Sequence, residues 1–202
     1  MTTNKTCLFL GKIKDTLKLK KIILKKKWKV ICKNKRITIN DLNDVDLVIT
    51  FNYRHILKKN ILKKLKRPAI NLHISYLPFN KGCHPNFWSF VEKSPKGVTI
   101  HEIDEGLDTG PIIYQKKISF NINKKKHDNF FKTNKILLFE IRKLFFRKIN
   151  QILNEKYIVK KQRKKGTFHY RNSLPIFMKK NWKLKIKDVL KMYRNNNNLK
   201  YI

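Results

Sequence analysis

The sequence predicts an α/β domain with a mostly parallel sheet flanked by helices, and three neighbouring segments support this fold class. Residues 44–51 and 69–75 are short apolar runs next to turn-forming or charged residues, as buried strands are. Between them, residues 56–67 carry apolar side chains at helical spacing, and Pro68 ends the pattern. A strand, a helix and a strand at this spacing form a βαβ unit, which favours a parallel sheet.

The same patterns assign the rest of the chain. Further strands are predicted at residues 7–10, 28–32, 36–39, 97–103 and 111–120, and further helices at residues 14–27, 86–92 and 132–152. Residues 104–110 form a glycine-containing loop. Beyond residue 160 the composition becomes more polar and basic, which predicts a domain of residues 1–160 and a basic C-terminal tail of residues 161–202. The segment RNNNNLK at residues 194–200 is expected to fray.

Length and composition indicate one cytoplasmic domain. A chain of 202 residues with 41% hydrophobic residues is long enough to bury one core. There is no run of about 18 uncharged apolar residues and no apolar signal-peptide region, so neither a membrane span nor secretion is expected. The cysteines Cys7, Cys32 and Cys83 are odd in number and widely spaced, which favours free thiols in a reducing compartment.

The formal net charge is +36, from 49 basic and 13 acidic residues. A basic excess attracts nucleic acids, anionic membranes and phosphate-bearing small molecules. Here the excess is mostly lysine, is spread along the chain and accompanies many Asn, Ile and Phe residues, which is the composition that an AT-rich genome gives to any protein. The charge therefore predicts an anionic partner without identifying it, and a membrane is not expected to be that partner.

Asn71 and His73 form a candidate catalytic pair. Alternate residues of a strand project to the same face about 7 Å apart, and the carboxyl ends of parallel strands open into the crevice where ligands bind. An amide there can donate to a developing oxyanion while an imidazole moves a proton, which suits acyl transfer. The imidazole needs a carboxylate to orient it, and the candidates are Asp104, Glu105 and Asp108. A satisfied core pair without catalytic function is the alternative interpretation.

Two other kinds of site are weighed against this one. The sequence DTG at residues 108–110 occurs in aspartic proteases, whose chemistry needs two such loops, whereas this chain has one copy. His73, Cys83, His84 and His101 could be imagined around zinc, but they lack the short paired spacing of zinc ligands. Neither a protease nor a metal site is therefore predicted.

Two longer segments carry a family resemblance. Residues 71–90 read NLHISYLPFNKGCHPNFWSF, and residues 96–113 read KGVTIHEIDEGLDTGPII. The pattern Asn-x-His-x-Ser-x-Leu-Pro-x-x-x-Gly, followed by Gly-Val-Thr-x-His and a loop ending in Asp-x-Gly, resembles the formyltransferases that use 10-formyltetrahydrofolate. The resemblance covers residues 69–113 and implies a Rossmann-like formyltransferase fold in the domain of residues 1–160. The N-terminal half is short for that fold by an α/β unit.

The resemblance also implies roles for individual residues. Asn71 would bind the formyl oxygen, a protonated His73 would stabilise the tetrahedral intermediate and transfer protons, and Asp108 would pair with His73 or with a relaying water. The implied contacts to 10-formyltetrahydrofolate are Tyr53, His55, Ile56, Leu57, Gly82, Val98, Ile100, Asp104, Glu105, Gly106 and Leu107. Those to the acceptor are Ser75, Tyr76, Phe87 and Trp88. The Leu77–Pro78 peptide would be cis, and no metal would be required.

The sequence departs from the pattern of several branches of the family, and these differences narrow the identity of the acceptor amine. The first predicted strand is followed by only Gly11, unlike the glycine-rich phosphate loop of glycinamide ribonucleotide transformylases. Too few residues follow Leu153 for the tRNA-gripping β-barrel of methionyl-tRNA formyltransferases, and the regulatory domain of formyltetrahydrofolate hydrolases is not expected either. The remaining branch formylates nucleotide-linked amino-deoxysugars for surface polysaccharides, and its compact enzymes resemble this chain at residues 84–90 and 164–172.

The leading hypothesis is therefore formyl transfer to an amino-sugar nucleotide, with Lys164, Lys165 and Arg171 as candidate diphosphate contacts. A methionyl-tRNA acceptor is a second hypothesis because of the net charge. A third is a family remnant that binds RNA through its lysines and does not turn over. The sequence leaves open the sugar, the position of its amine and whether the subunits form a homodimer.

Overall fold

A six-stranded sheet forms the centre of the protein in a computed structural model that describes residues 5–163 and 165–198. The strands of the chain are β1 (Thr6–Gly11), β2 (Lys29–Lys33), β3 (Leu47–Phe51), β4 (Ile70–His73), β5 (Lys81–Gly82), β6 (Gly97–Glu102), β7 (Ile112–Lys117) and β8 (Phe168–His169). The α-helices are α1 (Ile13–Leu24), α2 (Lys59–Lys64), α3 (Pro85–Val91), α4 (Phe130–Leu153) and α5 (Ile186–Asn198).

The order of strands in the main sheet is β2-β1-β3-β4-β6-β7. The first four strands pair in parallel, and β6 and β7 extend the sheet with antiparallel pairing. The predicted α/β class with a mostly parallel sheet is confirmed. In the antiparallel pair of β4 and β6, Asn71 lies opposite His101 and His73 lies opposite Thr99.

Alternation along the strands divides the apolar side chains between two cores. One core lies between the sheet and helices α1 and α4; it includes Phe9, Ile49, Ile70, Leu72, Val98, Ile100, Ile141 and Phe145. The other lies on the opposite face; it includes Leu8, Leu10, Val48, Leu57 and Ile61. Because successive strand residues point to opposite faces, Asn71 and His73 project away from α4.

The C-terminal segment, predicted as a basic tail, packs against the rest of the protein. β8 pairs in parallel with β5, with His169 opposite Gly82. A third apolar core joins α3, the start of α4 and C-terminal residues; it includes Phe87, Phe90, Phe130, Leu174, Met178, Ile186 and Val189. The segment expected to fray is helical as far as Asn198, since α5 is anchored by apolar side chains at helical spacing. Lys164 and residues 199–202 lie outside the described part of the chain.

The strand predicted at residues 36–39 is wrong. Thr38 instead begins a 3-10 helix, Ile39–Leu42, in which the Asp41 carboxylate accepts from the Thr38 backbone N–H at 2.7 Å. Such local side-chain bonds compete with pairing in a sheet. This turn is the only helix between β2 and β3. Within the described ranges, no helix has the length and apolar character needed to cross a bilayer.

Candidate active site

A cavity of about 750 Å³ opens at the carboxyl ends of β3 and β4. Thr50, Asn71 and His73 line it from these two strands. Residues 52–57, residues 82–87 and the loop between β6 and β7 form much of the remaining wall, to which the start of α4 and two C-terminal residues, Arg171 and Trp182, also contribute. The location agrees with the expectation that ligands bind beyond the carboxyl ends of parallel strands.

Asn71 is held by three hydrogen-bond partners. Its Oδ1 accepts from Thr50 Oγ1 at 2.7 Å, while its Nδ2 lies 3.1 Å from both Asp108 Oδ1 and His101 Nε2. The ring of His101 is oriented in turn by a 2.6 Å contact between its Nδ1 and the backbone oxygen of Glu102. A hydrogen on Nδ1 satisfies that carbonyl and leaves Nε2 as the acceptor for Asn71. The amide is therefore preorganised with its donor group directed towards Asp108 and His101.

Asp108 lies at the centre of this arrangement with a left-handed backbone (φ 55°). Its Oδ2 accepts from the Gly82 backbone N–H at 2.8 Å, and its Oδ1 is 3.6 Å from His73 Nδ1. Burial alone would raise the pKa of the Asp108 carboxyl, but His73, His101 and the Gly82 N–H together hold this pKa well below its usual range. Asp108 is accordingly a carboxylate at neutral pH.

His73 is buried, and its Nε2 lies 3.5 Å from the backbone oxygen of Asn80. Burial lowers the pKa of His73 below the ordinary 6.5, and the attraction of Asp108 only partly opposes this effect. The imidazole is therefore neutral in the resting protein, which differs from the expected protonated form. The 3.6 Å separation from Asp108 exceeds a direct hydrogen bond, as is common before a substrate binds.

Strand alternation separates correct from incorrect predictions on β6. Val98 and Ile100 were expected to form apolar walls of the folate site, but both are fully buried in the core under α4. The residues of opposite parity, Thr99 and His101, point to the catalytic face. His101 was considered only as a zinc ligand, although its place in the alternating segment GVTIHEI and its register with Asn71 put it in the site.

Most of the other predicted folate contacts lie on the cavity wall. Those that line it are Tyr53, His55, Ile56, Leu57, Gly82, Asp104, Gly106 and Leu107. Glu105, in contrast, does not line the cavity; it is exposed and forms an ion pair with Lys59 at 3.0 Å. The loop is fixed by its own polar groups, since the Asp104 carboxylate accepts from the Gly106 N–H and the Thr109 hydroxyl.

Of the residues predicted to contact the acceptor, some line the cavity and others do not. Phe87 lines the cavity, whereas Ser75, Tyr76 and Trp88 do not. Ser75 is buried, and the Trp88 ring stacks on His169 with 4.0 Å between centroids. The Leu77–Pro78 peptide is cis, as the resemblance implied. Lining residues that the sequence did not indicate are Thr50, Asn86, Phe130, Phe131, Asn134 and Trp182.

A metal site needs several His, Cys, Asp or Glu side chains close to one another. In residues 5–163 and 165–198, no three His, Cys, Asp or Glu side chains are placed to share a metal ion. The histidines of the site are occupied by Asn71, Asp108 and backbone carbonyls. The arrangement is that of a polar donor, a neutral base and a carboxylate, which suits proton transfer during attack on a carbonyl.

Comparison with known proteins gives one family. The sequence model of the family described as "Formyl transferase" matches residues 7–135. A methionyl-tRNA formyltransferase of Thermodesulfovibrio yellowstonii is 47% identical over 77 residues, which are 38% of this chain and 25% of that protein. A GDP-perosamine N-formyltransferase of Brucella melitensis is 36% identical over 77 residues, 38% of this chain and 30% of that protein. These matches thus span less than a third of each curated relative.

One solved structure matches over nearly its whole length. It is the crystal structure of the formyltransferase PseJ from Anoxybacillus kamchatkensis in complex with UDP-4,6-dideoxy-4-formamido-L-AltNAc and tetrahydrofolate. The TM-score is 0.81 and the sequence identity is 35%, with 90% of this chain and 96% of that chain covered. The likeness therefore includes the C-terminal segment as well as the sheet.

Proposed function

This chain belongs to the formyl transferase family, and we propose that it moves the formyl group of 10-formyltetrahydrofolate to the amine of a nucleotide-linked amino-deoxysugar. The observation that carries the proposal is the meeting of Asn71, His73 and Asp108 at one side of a 750 Å³ cavity. An amide donor, a neutral imidazole and a carboxylate are the groups that this transfer needs.

The reaction begins when the amine attacks the formyl carbon. The tetrahedral intermediate has negative charge on the formyl oxygen, and Asn71 Nδ2 is the donor that stabilises it. Because this nitrogen has only two hydrogens, it reaches the formyl oxygen by exchanging one of its contacts, and the contact with His101 is the one to exchange. The hydrogen bond to Asp108 then continues to orient the amide.

His73 and Asp108 handle the proton. The attacking nitrogen becomes positively charged, and neutral His73 accepts its proton. The carboxylate of Asp108, 3.6 Å from His73 Nδ1, stabilises the resulting imidazolium. Return of the proton to N10 of the folate accompanies cleavage of the C–N10 bond, which gives the formamide and tetrahydrofolate.

The folate end of the cavity is apolar. Ile56 and Leu107 are large hydrophobic residues that line it and yet are 67% and 41% exposed. Exposed apolar side chains on a concave wall are suited to cover an aromatic ring system such as a pterin. The tetrahydrofolate in the PseJ complex supports this assignment.

The choice of acceptor is supported by how much of each relative is matched. The PseJ structure, which holds a UDP-linked formamido sugar, is covered over 96% of its length, including the region of the C-terminal segment. A methionyl-tRNA acceptor is the second candidate, since that relative is 47% identical over 77 residues. The solved methionyl-tRNA formyltransferase of Clostridium thermocellum matches with a TM-score of 0.63, over 84% of this chain and 73% of that chain, which is less than the match to PseJ. The first candidate therefore accounts for more of this chain.

The test is a panel of acceptors assayed by release of tetrahydrofolate from 10-formyltetrahydrofolate. We expect turnover with one or more amino-sugar nucleotides and none with methionyl-tRNA or glycinamide ribonucleotide. Turnover with charged tRNA alone would contradict the sugar acceptor. No turnover with any acceptor, together with tight and salt-sensitive RNA binding, would indicate the non-catalytic remnant.

A further inference from the structure

The outward sides of α1 and α4 combine exposed apolar side chains with cations. Both helices cover the same face of the sheet and contact each other, so their outward sides form one layer. We propose that this layer binds the surface of an anionic phospholipid bilayer, with the helices lying in the plane of the interface. The proposal goes beyond formyl transfer and does not depend on it. The residues of the layer, called the helical face below, are Leu17, Lys21, Leu24, Lys135, Phe139, Lys143, Phe146 and Arg147.

Two phenylalanines of α4 point away from the core. Phe139 and Phe146 are 59% and 61% exposed, and a spacing of seven residues places them on one side of the helix. The opposite side is filled by Leu137, Ile141 and Phe145, which are buried against the sheet. The two exposed rings therefore add little to the core, and their apolar area remains available to an external partner.

The helix α1 contributes a matching pair. Leu17 and Leu24 are both exposed and are also seven residues apart, while Leu19 and Ile23 enter the core. Single exposed apolar residues are ordinary, but here four large ones are presented by two helices in contact. An apolar strip along neighbouring helices is typical of elements that lie in a membrane interface.

Cations accompany the apolar residues on both helices. Lys21 lies on the same side of α1 as Leu17 and Leu24, since it is four residues after the first and three before the second. On α4, Lys143 Nζ is 5.8 Å from the centroid of the Phe139 ring. A lysine beside an aromatic ring keeps its ammonium at the level of the phosphates while the ring enters the acyl region.

Few acidic residues balance this charge. The sequence has no Asp or Glu in residues 16–40, and Glu140 is the only acidic residue of α4. Glu140 itself forms an ion pair with Lys116 on β7. In the part of the chain that the structure describes, Lys143 and Arg147 form no ion pair with a carboxylate. The helical face is therefore positive and complements anionic headgroups.

Composition alone does not predict this surface, and a membrane partner was not expected from it. The lysines are spread along the chain, and no helix among the described residues can span a bilayer. The fold changes this expectation, because it brings apolar side chains from two distant segments together beside lysines. A peripheral contact needs only such a strip, which enters the interface to a depth of about 5–10 Å.

A second copy of the chain and an RNA fit the helical face less well. Two copies joined through this face bring like charges together, which disfavours their association. An RNA matches the charge, but Leu17 and Leu24 have no ring on which a base could stack. A bilayer satisfies both parts of the surface, because its phosphates pair with the cations and its acyl chains cover the apolar side chains.

Binding to a bilayer does not compete with binding in the catalytic cavity. The cavity opens at the carboxyl ends of β3 and β4, and no residue of the helical face lines it. Phe131, at the start of α4, does line the cavity and is for that reason left unaltered in the variants below. Lipid binding and formyl transfer can therefore be measured separately.

The experiment measures co-sedimentation of the full chain with lipid vesicles. We expect binding to vesicles in which about a third of the lipid is phosphatidylserine, weakening as salt is raised, and little binding to pure phosphatidylcholine. Phe139→Ser with Phe146→Ser should raise the lipid concentration for half-binding at least about tenfold. Lys143→Gln with Arg147→Gln should raise it about 25-fold, since each cation near an anionic surface contributes about fivefold.

The two double variants test the apolar and the charged part of the helical face independently. Ser and Phe have similar helix propensities, and the altered side chains are exposed, so the fold should be kept. Urea denaturation checks this. If one double variant did not fold, the other would still decide whether the helical face binds the vesicles.

The controls remove similar groups from elsewhere on the surface. Ile158→Ser with Ile176→Ser removes two apolar side chains that are more exposed than either phenylalanine, and Lys187→Gln with Lys191→Gln removes two cations from α5. Both controls should bind anionic vesicles as the unaltered protein does. Equal losses in the controls would overturn the inference, because the net charge of +36 or general apolar exposure would then explain the binding.

Three further results would also overturn the inference. The first is that the unaltered protein does not bind anionic vesicles. The second is binding of single-stranded RNA through the helical face without binding of vesicles, which would assign this face to RNA. The third is a dimer that Phe139→Ser with Phe146→Ser dissociates, again without vesicle binding, which would assign the face to a second copy of the chain. Formyl transfer would be unaffected by any of these results.

Discussion

The catalytic wall of the cavity, formed by Asn71, His73, His101 and Asp108, differs from the C-terminal wall of the adjoining groove, formed by Tyr170, Arg171, Lys179 and Trp182. In the catalytic wall the polar groups are buried or half-buried and contact one another, and the sheet register sets the positions of Asn71 and His101. In the C-terminal wall the polar groups are exposed, and the segment is anchored by apolar residues behind them. The difference teaches that groups which act on the reacting atoms have to be held in fixed positions, whereas exposed groups that only contact a ligand can adjust to it.

A network of hydrogen bonds among Asn80, Glu92, Thr167 and His169, called the seam below, links the C-terminal segment to residues near the catalytic wall. The Glu92 carboxylate accepts from Asn80 Nδ2 at 2.7 Å and Thr167 Oγ1 at 2.8 Å, and it lies 2.6 Å from His169 Nε2. The backbone oxygen of Asn80 in turn faces His73. The C-terminal segment is therefore connected to the catalytic base as well as to the adjoining groove.

The largest expected effect is the loss of the base or its carboxylate in the catalytic wall. His73→Ala and Asp108→Asn should each lower kcat by about 10²–10⁴-fold, since proton transfer to and from the nitrogen atoms is lost. Steady-state kinetics with the preferred acceptor measures this. Glu105→Gln is the control, because it neutralises an exposed carboxylate in the same loop, whose ion pair is with Lys59. An Asp108→Asn variant as active as that control would show that the Asp108 carboxylate has no role in catalysis.

The next effect concerns the oxyanion donor. Asn71→Ala should lower kcat by about 10²–10³-fold, because the developing charge on the formyl oxygen loses its donor. Thr50→Val keeps the shape of its side chain but removes the hydrogen bond that orients the Asn71 amide, so its loss in kcat should be smaller. If Thr50→Val matched Asn71→Ala, orientation rather than donation would explain the role of Asn71.

The contrast between the walls also explains what the sequence could predict. Asn71, His73 and Asp108 occur in continuous motifs next to strongly patterned strands, and alternation puts the first two on one face. His101 could have been found by the same parity, which also excludes Val98 and Ile100. Trp182 could not, because it reaches the cavity through the packing of the C-terminal segment, and the two-residue strands β5 and β8 that hold this segment leave no periodic signal.

A moderate effect is expected where the seam is weakened. Glu92→Gln should lower the free energy of unfolding by about 1–3 kcal/mol, since an amide cannot accept all the hydrogen bonds that the carboxylate accepts. Urea denaturation measures the change, and kcat should fall less than in Asn71→Ala. The control, Glu140→Gln, loses a partly exposed pair with Lys116 and should cost less than about 1 kcal/mol. Equal losses of unfolding free energy in the two variants would mean that the seam stabilises the protein no more than an ordinary surface ion pair does.

The smallest expected effect is a displacement of the acid limb of the pH profile. His73 must be neutral to accept the proton, and burial keeps its pKa below 6.5 in the folded protein. After division by the unprotonated fraction of the acceptor amine, kcat/KM should therefore hold through pH 6.5 and fall only at lower pH, as His73 becomes protonated. The same sign applies to stability: the unfolded chain binds this proton more readily, so the contribution of His73 is present above pH 6.5 and is lost as pH falls through the folded pKa.

Asp108→Asn sharpens this prediction, because the carboxylate is the group that raises the pKa of His73. Removing it should move the acid limb of the residual activity to lower pH, while Arg171→Ala should leave the limb where it is. The profile of kcat/KM reports ionisations of the free enzyme and of the free acceptor amine, and the amine is the same in every variant, so a shift between variants belongs to the enzyme. An acid limb above pH 6.5 in the unaltered protein would show that His73 is protonated in the resting state, and the imidazole would then act first as a proton donor.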